Sequence, residues 1–250
     1  MHLQSTFDNL PPKRRLDIEL VRRKLVASRS QAESYIRLGK VYVNGSVAVK
    51  SGQLVSEDDK IEVKVVTQYV SRAALKLKSA DAAFQIDWRG KTVLDVGSST
   101  GGFTQYVLQR GAAKVFAVDV GTNQLHQSLR SDERIELHEK TDIRDFITKE
   151  KLDIVVGDVS FISLRDILPH VAKLMNPTTI LIAMVKPQFE AGQSSMKHKG
   201  VIKNDKMRRD IMKDFETWAR KYFFIIDKKD SDVAGSKGNV ERFYLLQKIK

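Results

Sequence analysis

This sequence predicts an α/β fold, a parallel sheet with helices on both faces, preceded by a small α+β module. Three observations carry that reading. From Thr92 onward, short β-branched runs alternate with helix-period stretches, the rhythm of a sheet covered on both sides. The stretch Val93-Leu94-Asp95-Val96-Gly97-Ser98-Ser99-Thr100-Gly101-Gly102-Phe103 reads as a buried strand, a tight glycine turn and the start of a helix. Earlier in the chain, Asn44-Gly45 between two short apolar runs marks a hairpin.

Composition narrows the function classes. The chain has 250 residues, 42% hydrophobic and 30% charged, enough for one sizeable core and a small extra domain. A net charge of +12 calls for a polyanionic partner, most commonly nucleic acid. The absence of cysteine excludes disulfide frameworks, thiol nucleophiles and cysteine-ligated metals. Residues 1–16 lack a signal-peptide core, and the longest apolar run, Ile180 to Val185, is strand-sized, so a cytoplasmic protein without membrane association is expected.

The domains expected are a lead-in over 1–12, a basic module over 13–65, a connector over 66–69 and a larger body over 70–250. In the module, Leu16, Ile18, Leu20, Val21, Leu25 and Val26 suit a short helix with Arg22, Arg23 and Lys24 outward. Ser28 or Ser30 can cap a second helix that ends at Gly39. The hairpin Val41-Tyr42-Val43, Asn44-Gly45, Val47-Ala48-Val49 follows, then a strand from Ile61 to Val66. Between Lys13 and Lys50 ten basic residues face only Asp17, Glu19 and Glu33, which is either a solvated basic face or a nucleic-acid surface.

In the body, Ser71 is placed to cap a helix carrying Ala74, Leu75 and Leu77 inward, with Lys76 and Lys78 on other faces. Elements then follow at Thr92–Val96, Phe103–Gln109, Lys114–Val118, Leu125–Leu129, Ile135–His138, Ile154–Gly157, Leu164–Leu174, Ile180–Val185 and Arg242–Ile249. In such sheets ligands gather at the carboxyl ends of the strands. Asp119 ends the second strand, where an acid can accept from two ribose hydroxyls; Asp142 follows the third, either near an adenine amino group or as a plain loop carboxylate. Asp158 and Lys186 end the fourth and fifth, and Glu241 enters the last strand. A lysine directly after Ile182-Ala183-Met184-Val185 is costly unless it meets a polar cleft or a partner charge. A surface pair between Lys186 and Glu241 is the structural alternative, worth at most ~1 kcal/mol.

Two resemblances are specific in combination. Arg15-Leu16-Asp17, Ser28-Arg29-Ser30-Gln31-Ala32 and Gly39-Lys40-Val41-x-Val43-Asn44-Gly45 resemble the S4-type RNA-binding domain. This implies that Arg14, Arg15, Arg22, Arg23, Lys24, Arg29, Arg37 and Lys40 track structured RNA. The glycine turn, Asp119 and the ordered Lys76, Asp158, Lys186 and Glu241 resemble the Lys-Asp-Lys-Glu ribose 2'-O-methyltransferases of the FtsJ type. With the strings Tyr69 to Leu77, Asp158 to Leu164, Lys186 to Glu190 and Gly238 to Glu241, the chain is similar to the TlyA family of haemolysin-like rRNA methyltransferases.

The family resemblance implies a Rossmann-like methyltransferase sheet that binds S-adenosylmethionine through Asp95, Gly97, Ser98, Thr100, Gly101, Gly102, Phe103, Asp119 and Asp142, with no metal required. It implies Lys186 as proton acceptor, with Lys76, Asp158 and Glu241 positioning the hydroxyl, and ribosomal RNA or a ribosomal subunit as partner. Burial and Lys76 would lower the basicity threshold of Lys186, whereas Asp158 and Glu241 would raise it. Lys78 competes with Lys76 for the first position. The competing functions are a non-catalytic RNA-binding or assembly factor, a membrane-lytic protein and a small-molecule methyltransferase; the second lacks a spanning segment or an evident lytic helix, and the third has no use for the basic N-terminal module.

Overall fold

The computed structural model describes residues 13–26, 28–64, 69–191, 201–202, 204–235 and 238–249. The expected lead-in over 1–12, residue 65 and connector residues 66–68 lie outside them. The chain divides into two compact units, Met1–Gln68 and Tyr69–Lys250.

In the first unit, β1 (Arg14–Arg15) runs into α1 (Leu16–Arg22), followed by α2 (Arg29–Arg37), β2 (Val41–Val43), β3 (Ser46–Val47), β4 (Leu54–Val55) and β5 (Ile61–Val63). β2 pairs antiparallel with β3 and β5, and β1 with β4. Leu16, Leu20, Ala32, Ile36, Val41 and Val55 fill the core, the inward faces of two helices and a small sheet. α1 stops earlier than its apolar pattern implies, because Lys24 turns left-handed at φ 56°, leaving Leu25 exposed and folding Val26 back into the core. Ser28 is the cap of α2, accepting from the Gln31 N–H at 3.2 Å, whereas Ser30 sits inside the helix. Asn44 and Gly45, at φ 50° and 81°, have the two left-handed residues of a tight hairpin turn.

The second unit contains α3 (Ala73–Phe84), β6 (Thr92–Val96), α4 (Gly102–Gln109), β7 (Lys114–Val118), β8 (Ile135–His138), β9 (Ile154–Gly157), α5 (Leu164–Leu174), β10 (Ile180–Val185), α6 (Pro187–Glu190), α7 (Asp205–Ala219), β11 (Phe223–Asp230) and β12 (Arg242–Lys248). The seven strands form one sheet in the order β11-β12-β10-β9-β6-β7-β8. β8, β7, β6, β9 and β10 are parallel, but β12 runs antiparallel between β10 and β11. The expected parallel sheet is thus extended by an antiparallel edge, where β11 and β12 join as a hairpin-type pair, which needs no crossover helix.

Strand alternation sorts the core into two layers. Val93, Val115, Ile154, Val156, Ile182 and Met184 pack under Ala74, Leu77, Phe103 and Val107 of α3 and α4. Leu94, Val96, Val155, Leu181, Ala183 and Tyr244 pack under Ile167, Val171, Met212 and Phe215 of α5 and α7. Two local expectations are corrected. Ser71 does not cap α3; Arg72 holds the N-cap position without a side-chain bond, and the Ser71 hydroxyl is buried without a partner. Leu125–Leu129 forms only a 3-10 turn at Gln127–Leu129. Finally, α7 and β11 are elements that the opening pattern did not reveal. The fully buried Phe215 anchors α7, so Phe215→Ala is expected to cost about 3–5 kcal/mol of stability, read from urea unfolding of the full chain.

Candidate active site

The chain moves outward from β6 through β7 to β8, then returns to the other side of β6 as β9. That reversal opens a crevice at the carboxyl ends of β6 and β9. The glycine turn fills one wall and the loop after β9 the other. At Gly97, φ is 80° and an added Cβ would lie 2.9 Å from the Asp158 carbonyl oxygen, so only glycine permits this approach. At Gly102 a Cβ would strike Ser71 Oγ. At Gly101, with φ 87°, it would meet Leu125 and Leu129.

Asp119, at the end of β7, reaches across to this turn. Its Oδ2 accepts from the Ser99 N–H at 2.8 Å and its Oδ1 from the Gly121 N–H at 2.7 Å. Asp95 lies beneath the turn, fully buried, with Oδ2 accepting from the Thr104 hydroxyl at 2.6 Å and Oδ1 unpartnered. Burial pushes its carboxyl up to about 7; Thr104 opposes the shift and the charge of Asp158 adds to it. Its position makes Asp95 a support for the turn and for the start of α4. Ser98 is also buried with an unpartnered hydroxyl, Thr100 is exposed, and the Phe103 ring is buried 6.2 Å from that of Phe243. Asp142 is gripped by its neighbour Arg144 at 2.9 and 2.6 Å, which holds its carboxyl near 2 and gives it the partners of a self-contained loop carboxylate.

The other rim residues form two ion pairs, Lys76–Glu241 buried and Lys186–Asp158 partly buried. Lys76 Nζ lies 2.5 Å from Glu241 Oε2, and Lys186 Nζ lies 2.6 Å from Asp158 Oδ1. Lys76 and Lys186 are each 9% exposed and Glu241 2%. Lys186 gives its directional hydrogen bond to Ser160 Oγ at 2.7 Å, while Asp158 holds it electrostatically from outside hydrogen-bond geometry. The pairing of Val185 with Arg242 on adjacent strands puts Lys186 and Glu241 at the same end of the β10–β12 ladder. Lys186 therefore pairs with Asp158, not with Glu241 in a surface contact. Lys78 is exposed, so Lys76 is the lysine of α3 that enters the site. Gly235 lets the final loop close over Glu241, where a Cβ would come 2.8 Å from Oε1.

A model of FtsJ-like methyltransferases matches residues 69–248, and an S4 domain model matches residues 14–61. The chain belongs to the FtsJ-like methyltransferase family. It is 41% identical over 236 residues to a Bacillus subtilis protein named "Putative rRNA methyltransferase YqxC", covering 92% of this chain and 84% of that one. It is 39% identical over 239 residues to the 16S/23S rRNA (cytidine-2'-O)-methyltransferase TlyA of Mycobacterium tuberculosis, covering 93% and 89%. The solved structure titled "Putative hemolysin from Streptococcus thermophilus" superposes with a TM-score of 0.75 at 34% identity, covering 96% of this chain and 90% of that one.

Within the FtsJ-like domain, the sequence reading assigned no role to Ser160, Phe161 or Glu190. Phe161 is 93% exposed and held left-handed at φ 67°, its ring 5.5 Å from that of Phe189. Phe161 thus combines an exposed ring with a left-handed backbone that a bulky residue seldom adopts. The signal was an apolar residue between two serines just past Asp158. Glu190, pushed up by burial, accepts from Ser163 and from the Leu164 N–H, both at 2.7 Å, and so fixes the loop that carries Asp158 to α6.

In the S4 domain, four of the eight expected RNA contacts gather on two buried acids. Arg15 and Arg29 meet Asp17, and Arg22 and Arg23 meet Glu19. Hydrogen bonds led by Arg15 and by Arg22 hold the two carboxyls near 2. Arg14 is half-buried in β1, and Lys24, Arg37 and Lys40 are exposed. Among the described residues, no helix is long and apolar enough to cross a membrane.

The raised carboxyl of Asp95 has a stability consequence. The folded chain keeps a proton there that the unfolded chain releases near its ordinary value, so stability is greatest below about pH 4 for this group and falls as pH rises through about 7. Thermal midpoints across that window should decline less in Asp95→Asn than in the parent chain.

Proposed function

We propose that this chain methylates a ribose 2'-hydroxyl of ribosomal RNA, using S-adenosylmethionine, with the S4 domain docking the RNA and the work done in the cytoplasm. The observation that carries the reading is the set of two ion pairs, Lys76–Glu241 buried and Lys186–Asp158 partly buried, on the rim beside the glycine turn. Buried charges of this kind are costly for stability and are characteristic of chemistry. The rRNA 2'-O-methyltransferase named among the relatives supports the substrate class.

The residues present fit the cofactor. Buried Ser71 and Ser98 hydroxyls and Asp95 Oδ1 stand unpartnered around a turn where no Cβ fits at Gly97. Gly97 to Gly102 would hold it, with Asp119 towards its ribose. When bound, it supplies an electrophilic methyl group.

The protein must then align and deprotonate a hydroxyl that is a poor nucleophile. Lys186 Nζ, in its neutral amine form, takes the 2'-hydroxyl proton and becomes the ammonium. Asp158 and Ser160 fix that amine, and Asp158 offsets the charge it gains. Lys76 and Glu241 orient the ribose from the neighbouring position, their mutual pairing keeping both side chains extended into the site. Phe161 offers a ring on which a base displaced from its stack can rest.

Lys186→Met is expected to slow methyl transfer by about 10²–10⁴-fold while leaving S-adenosylmethionine affinity unchanged. Single-turnover transfer to ribosomal subunits, beside calorimetric cofactor binding, checks both; parental turnover would remove Lys186 from the reaction. Phe161→Ala should weaken RNA-dependent transfer without altering cofactor affinity, measured in the same pair of assays.

A further inference from the structure

The two buried acids of the S4 domain are used differently. Asp17 and Glu19 are 0% and 1% exposed, two residues apart on α1. Around Glu19 the arginines are consumed internally. Arg22 bonds Glu19 through Nε and Nη2 and extends to Glu57 at 2.9 Å. Arg23 bonds Glu19 and donates to the carbonyl oxygens of Ser56, Glu57 and Asp59 at 3.0, 2.9 and 2.8 Å. This cluster fastens α1 to the turn before β5.

Asp17 holds its arginines from one side only. Arg15 brings Nε and Nη2 to the two carboxylate oxygens at 3.0 Å each, Arg29 Nη2 reaches Oδ2 at 2.8 Å, and the Ile18 N–H donates to Oδ1. Among the described residues, the other N–H groups of these two guanidiniums have no acceptor, and their side chains are 46% and 57% exposed. Arg15 Nη1 lies over Gly52, where a Cβ would come within 3.3 Å, so position 52 adds no side chain over it, and the charge of Glu33 acts on Arg15 as a weaker attraction than that of Asp17. Two guanidiniums from different elements, β1 and α2, are thus oriented by one buried anion with their outer edges towards solvent. Planar forks of this kind match phosphate oxygens, and fixing them before binding removes an entropy cost that free arginines bear.

We propose that Asp17 is a positioning residue that sets Arg15 and Arg29 as a two-guanidinium fork for one stretch of RNA phosphate, while the Glu19 cluster serves only to hold the domain together. The proposal rests on the RNA-substrate reading above. It also makes an unusual prediction of sign: removing the negative charge of Asp17 weakens binding to a polyanion, although net charge alone would tighten it.

The test is filter binding of the full chain to extracted ribosomal RNA over a series of salt concentrations. Arg15→Ala and Arg29→Ala should each weaken binding and reduce the slope of log affinity against log salt by about 0.7–0.9, the contribution of one phosphate contact. Asp17→Asn should weaken binding and lose its effect when both arginines are already alanine. Glu19→Gln should lower the thermal midpoint but leave the salt slope unchanged, which separates positioning from folding. Should Asp17→Asn fail to fold by circular dichroism, the two arginine variants, both on exposed side chains, decide the matter. Unchanged slopes in both of them, or tighter binding by a folded Asp17→Asn, overturn the fork. Absence of salt-dependent RNA binding by the parent chain overturns the RNA reading itself, and the fork with it.

Discussion

The approach of the turn after β6 to the loop after β9, at the point where Gly97 lies against the Asp158 carbonyl, is the constraint on which the methyltransferase unit depends. It exists because strand order reverses between these two strands, and it is tolerated because position 97 has no side chain. Once the two loops are drawn together, their ends fall into register: Asp158 N–H bonds the Val96 carbonyl, and Gly97 and Ser98 N–H groups bond that of Val118. Asp158 follows β9 at this point, and Asp119 and Lys186 follow the ends of β7 and β10 at the same edge of the sheet.

The charged pairs illustrate how burial and function are balanced. A lone buried ammonium would shed its proton or distort the fold; a paired one can stay, at a cost the surrounding core must cover. The apolar ladder Leu181 to Val185 and the fully buried Phe243 and Tyr244 supply that cover on both sides of β10. In the S4 domain the same physics is used on anions, with two carboxylates taken out of water because arginines enclose them. The positive excess of that domain is therefore smaller in effect than a count of its arginines implies.

Much of this was legible in the sequence, and the reasons are local. β6, β7, β9 and β10 read as near-continuous apolar runs because both faces of an interior parallel strand are buried, and α5 shows helical periodicity because one face, Leu164, Ile167, Leu168 and Val171, is buried. Lys186 announced itself by following six apolar residues directly. What escaped was information of longer range. β11, whose Phe224 and Ile226 point to solvent and whose second half is charged, carries no clean alternation. α7 has its inward positions Met212, Phe215 and Ala219 diluted by charge on every other face. The pairing of lysines with particular acids could not be read either: Lys186 prefers Asp158 to Glu241, and Arg23 turns inward to carbonyls rather than outward. Partner choice depends on which loops tertiary structure brings within a few ångströms, and spacing along the chain does not encode it.

The antiparallel strand β12 has a consequence for the order of events in folding. It delivers Glu241 to Lys76 across 165 residues of chain, so this contact closes the longest loop of the site. Closing a loop of that span costs more entropy than closing the shorter ones of the sheet, by about 0.6 kcal/mol for each doubling of length. The β6–β9 crevice, by contrast, can assemble from strands that are closer in sequence. The Lys76–Glu241 pair therefore depends on the final strand being in place, whereas the β6–β9 contact does not.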